Sequence, residues 1–141
     1  MLKKILAISG QSGLFRLVAE PKNNIIVESL ETNKRMPVNS TAKVSLLADI
    51  VIYTKTGDTP LHDVFKAIYD KENGGESIDP KSPENKLKEY FVSVFPDYDK
   101  DRVYTSDIKK VILWYNILQR NSMLDFTEND SDENKNEKES E

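Results

Sequence analysis

Ile50-Val51-Ile52-Tyr53-Thr54, then Lys55-Thr56-Gly57-Asp58-Thr59-Pro60, then Leu61-His62-Asp63-Val64-Phe65-Lys66-Ala67-Ile68-Tyr69: across this stretch the rhythm of the chain changes. The first five residues are a β-branched apolar run of strand type. After Thr59-Pro60, Leu61, Val64, Phe65, Ile68 and Tyr69 recur at the spacing of one helix face. A strand-rich half followed by a helical half is therefore expected, with Thr59 as cap and Pro60 at the first helical position. Asn73-Gly74-Gly75 ends that helix.

Working forward, Ser82-Pro83 opens a second helix with the stripe Leu87, Tyr90, Phe91, Val94 and Phe95, and Pro96 closes it. A third starts near Thr105-Ser106-Asp107 and runs to about Asn121. Ile108, Val111, Ile112, Tyr115 and Leu118 form its main face, and Leu113, Trp114 and Ile117 make it apolar on a second side. Such a helix belongs in the centre, between the other helices and a sheet.

Working backward, Leu14–Ala19 and Ile25–Leu30 read as a hairpin around Pro21-Lys22-Asn23-Asn24. Arg35–Val38 is a short third strand whose Pro37 suits an edge. Asn39–Asp49 fits neither period, and residues 2–9 are read as a short helical turn ended by Gly10, with a first strand as the alternative. Few, short strands predict a small curled sheet of the SH3-like, partly open barrel type, covered by the helices. The fold class is α+β: a β module over 1–57, a helical module over 58–125, and an acidic disordered tail over 126–141.

The tail sets the net charge. The 141 residues carry 20 Lys/Arg and 24 Asp/Glu, of which two and seven lie in 126–141, so residues 1–125 stand at +1. Residues 1–57 are at +4 and residues 58–125 at −3. With no cysteine, disulfides, thiolate nucleophiles and cysteine-held metals are excluded. The apolar run at Ile5–Ile8 is too short for a signal-peptide core, and none approaches membrane-spanning length. A cytoplasmic location without membrane attachment is the expectation.

Ser12–Ala19, Ile78-Asp79-Pro80-Lys81, the long segment Pro96–Lys110 and Trp114-Tyr115-Asn116 resemble a family of uncharacterised Bacteroidota proteins classed as a domain of unknown function. The resemblance covers roughly residues 2–121. It implies a β N-terminal part and a helical C-terminal part, and no activity.

Asp97, Asp99 and Asp101 alternate between two helices, as carboxylates do at the opening of an EF-hand loop. Arg102 stands where that loop needs glycine and Ile108 where it needs a bidentate Glu, so the expected role is a polar connection that caps the third helix and pairs with Arg102. No metal and no cofactor is assigned. His62, with Asp58 and Asp63 near it, has no nucleophile to serve and reads as a solvated helix residue. Gly10-Gln11-Ser12-Gly13 lacks the Lys-Ser/Thr of a phosphate loop.

The expected function is a non-enzymatic binding or adaptor protein with a protein partner. Its surface would be Asp97, Tyr98, Asp99, Asp101, Arg102 and Tyr104, with Tyr98 and Tyr104 exposed as aromatic anchors. The alternative is weak nucleic-acid binding through the basic β half at Arg16, Lys34, Arg35 and Lys43.

Overall fold

The computed structural model describes residues 4–11, 13–20, 24–39 and 43–124. The predicted acidic tail lies outside them.

Five strands form one antiparallel sheet: β1 (Ile5–Ile8), β2 (Phe15–Ala19), β3 (Asn24–Ser29), β4 (Arg35–Asn39) and β5 (Val44–Leu46), in the order β4-β3-β2-β1-β5. The short helix expected over residues 2–9 is thus a strand in its described part. Ile5 and Leu6 are both buried but in different clusters, which is the period of a strand. Four residues are too few for that period to show against a helical turn. The turn after β1 needs Gly10 at φ +86° and Gly13 at φ +87°, a region closed to most side chains.

The ambiguous stretch before Asp49 supplies β5 and a 3-10 turn, Leu47–Asp49. The strand expected at Ile50–Thr54 does not join the main sheet. As β6 (Val51–Tyr53) it pairs with β7 (Asp58–Pro60), a hairpin that straddles the 57/58 boundary. Thr59 faces Ile52 in that ladder, so it does not cap the next helix. Pro60 and Pro83 themselves occupy the N-cap positions, each in an extended conformation. The helices are α1 (Leu61–Lys71), α2 (Glu84–Val94) and α3 (Thr105–Arg120).

The main core joins the two halves. Ile5, Leu14, Leu30 and Leu47 from the β half share one buried cluster with Phe65 of α1, Phe91 of α2 and Ile112 of α3. A second cluster, Leu6, Ile8, Phe15, Val27 and Val38, lies on the other face of the sheet. No helix contributes to it among the described residues, yet Val27 is fully buried. Side chains of the same sheet shield it, which requires the sheet to bend over that face. The edge strands β4 and β5 do not pair with each other, so the curled sheet is no closed barrel.

The second side of α3 is partly polar. Asn116 is buried and its Oδ1 accepts hydrogen bonds from the Ser77 N–H and the Ser77 hydroxyl, both at 2.8 Å. Its Nδ2 donates to the Ile78 carbonyl at 3.1 Å. The Tyr115 hydroxyl donates to the Gly75 carbonyl at 2.8 Å. The connection between α1 and α2 is thereby fixed to α3 through backbone groups that would otherwise lack partners.

Candidate functional site

The segment after α2 is built by its own backbone. The Asp99 N–H donates to the Tyr53 carbonyl at 2.9 Å and the Lys55 N–H to the Asp97 carbonyl at 3.3 Å, so this segment runs beside the end of β6. Asp99 Oδ1 accepts the Asp101 N–H at 2.9 Å, and the Asp107 carboxylate accepts the Tyr104 N–H at 3.0 Å at the start of α3. Asp97 and Asp101 are exposed and Asp99 half-buried. Among the described residues no three carboxylate or imidazole groups come together as a metal-holding set.

Three expectations fail here. Tyr104 takes the N-cap position of α3, with the Asp107 carboxylate on its N–H, so the three aspartates do not cap that helix. Tyr98 is only 3% exposed, because its ring packs edge-on against Phe91 with centroids 4.9 Å apart. Arg102 does not serve the aspartates. Its guanidinium lies over the Tyr53 ring, 3.8 Å from the centroid. Tyr104, by contrast, is exposed as expected.

Beside Arg102 a cleft of about 650 Å³ opens between the main sheet, the β6 strand and the N-terminal half of α3. Its interior is apolar, drawing on Ala7 of β1, Ile50 and Ile52 around β6, and Val111 and Trp114 of α3. Three cations, Lys43, Arg102 and Lys110, border it. Asp107 is the carboxylate among the lining residues, and it already accepts a backbone N–H. Gly10, Gln11 and Gly13 stand at the rim. An apolar hollow of this size edged by a few charged groups is the usual form of a ligand or peptide site.

The remaining sequence candidates scatter. Lys43 reaches the cleft, but Arg16 is ion-paired with Glu28, which holds that carboxyl below its ordinary range by hydrogen bonding. Lys34 and Arg35 are exposed near the start of β4 and do not line the cleft. His62 is half-buried rather than solvated, with Nδ1 3.3 Å from Asp63 Oδ1. The cleft was not legible in the sequence because its walls come from residues far apart in the chain, and the exposure of Val51 and Tyr53 is visible only in the fold.

Residues 2–47 match the family described as Domain of unknown function DUF5606, and residues 50–118 match Domain of unknown function DUF6852. A solution NMR structure of a Bacteroides vulgatus protein, a structural-genomics target, is 44% identical with a TM-score of 0.75, and the match covers 89% of this chain and 91% of that one. No curated protein matches the chain.

Proposed function

This chain belongs to a Bacteroidota family that joins a β domain of unknown function to a helical one, and on that premise we propose that it is a non-enzymatic binding module whose protein partner seats in the cleft. The observation that carries this reading is the cleft itself: an apolar hollow, bordered by Lys43, Arg102 and Lys110, at the junction of the two halves. An SH3-like fold is part of the reading, supported by the β1–β4 meander whose first strand is also paired by β5, with the sheet open between its edge strands β4 and β5. The binding surface moves from the aspartate segment to its neighbour. Arg102 stays in it, Lys43 joins it, and Asp97, Asp99 and Asp101 shape the segment that positions Arg102.

The rival reading, weak nucleic-acid binding by the β half, draws on exposed Lys34 and Arg35. It has less support, because Arg16 is engaged by Glu28 and the exposed Tyr53 ring lies under Arg102 rather than beside those two. The two readings separate in a pull-down with the full chain as bait. The expected result is protein capture that survives nuclease and is lost in the double variant Arg102→Glu, Lys110→Glu. Capture abolished by nuclease, with heparin retention falling steeply as salt rises, refutes the module reading in favour of nucleic acid.

No described helix is long and apolar enough to cross a membrane.

A further inference from the structure

We infer that the occupant of the cleft is an extended acidic peptide segment, added as a strand along the open part of the β6 edge; this rests on the binding-module reading above. The ladder geometry gives the reason. The Thr54 N–H donates to the Gly57 carbonyl at 2.7 Å and the Leu61 N–H to the Ile50 carbonyl at 2.9 Å, so the even-numbered residues of this strand point their backbone groups at β7. The odd-numbered residues point the other way. Pro60 fits this pattern: it sits opposite Val51, at a position of the ladder where no N–H is needed.

On that outer side, the Asp97–Asp99 segment takes the Tyr53 carbonyl and the Lys55 N–H. It goes no further along the strand. At Val51 the N–H and C=O face outward and have no hydrogen-bond partner among the described residues. Val51 is also a lining residue of the cleft and is 39% exposed. An unpaired strand edge is a template for another strand. Here the edge opens onto a cavity rather than onto flat solvent.

The charges select the peptide. Among the described residues, Lys43, Arg102 and Lys110 border the cleft against the one carboxylate of Asp107, whose acceptor capacity is partly used by the Tyr104 N–H. Acidic side chains at the ends of the segment meet these cations, while an apolar side chain between them enters the hollow against Val111 and Trp114. The backbone pairing gives affinity and the charges give orientation.

The test uses the full chain, ¹⁵N-labelled, and a pool of fluorescein-tagged heptapeptides. These carry Asp or Glu at both ends and Val, Ile or Phe at the interior alternate positions. The expected result is saturable binding with protection of the Val51 amide. Affinity should fall about tenfold in the exposed double variant Lys43→Glu, Lys110→Glu. It should also fall when the interior peptide amides are N-methylated. Binding indifferent to N-methylation overturns strand addition. Failure of the pool to bind, while nuclease-resistant protein capture persists, overturns the peptide assignment and leaves the module reading standing. A single-stranded RNA oligonucleotide that perturbs the same amides more strongly than the pool overturns both.

Discussion

Truncating Leu14 to Ala tests whether the two halves are one cooperative body. Leu14 precedes β2 in the N-terminal half, is 1% exposed, and belongs to the cluster that contains Phe65, Phe91 and Ile112 of the three helices. Removing its branched end from a fully packed site costs about 3 kcal/mol, the lost transfer energy plus the cavity left behind. With a urea slope of about 1.5 kcal/mol per molar, the midpoint of unfolding drops by about 2 M at unchanged slope. The single tryptophan, Trp114, sits on α3 and packs against the same cluster, so its fluorescence reports the packing around α3. If the core is shared, the Trp114 transition moves by the full amount and coincides with loss of the β1–β4 amide signals by NMR. A Trp114 midpoint that stays at the wild-type value while the sheet melts early would refute the shared core.

Asn116→Ala strands the Ser77 N–H, while the Ile78 carbonyl keeps the Ser77 hydroxyl at 3.3 Å, and should cost about 1–2 kcal/mol, with the Ser77 amide losing exchange protection; a cost within the error of urea melts would show that the connection stands without it. The phenols make the fold alkali-sensitive. Burial first, then nearby Glu72, pushes Tyr115 up to about 12, and burial with the Glu72 hydrogen bond pushes Tyr90 up as well. The folded state then keeps protons that the unfolded chain releases near pH 10, so this stability is whole below about pH 10 and is lost as pH rises through about 12. Urea midpoints across that window should fall less steeply for Tyr115→Phe than for the wild type. Gly10→Ala should cost about 1 kcal/mol by the same assay although the site has room, because φ +86° strains any side chain. Calcium titrated to millimolar levels should give no heat above dilution, since the three aspartates do not converge.

The order of strands then helices was legible because each helix writes its buried face into local spacing. Leu61, Val64, Phe65 and Ile68 are all fully buried, and so are Leu87 and Phe91. Four-residue β1 was not legible, since its alternation is too brief to exclude a helical turn. β7 was missed because Asp58-Thr59-Pro60 has no apolar alternation and exists only as the partner of β6. Tyr98 looked like a surface ring among acids, and only the arrival of Phe91 beneath it makes it core. Of the site, Arg102 and Lys43 were both singled out, but for different surfaces. Folding brings them to one cleft lined jointly by residues of β1, β6 and α3, an arrangement that no local pattern encodes.

Pro60 is the last residue of β7 and Leu61 the first of α1, with the Leu61 amide still bonded to Ile50. The joint has no slack. The β6–β7 hairpin and α1 are therefore joined without a loop, and Phe65 of α1 lies against Tyr115 of α3 with ring centroids 6.2 Å apart. Under the proposed docking on β6, a shift of that strand would carry the start of α1 with it, because no loop lies between the hairpin and the helix.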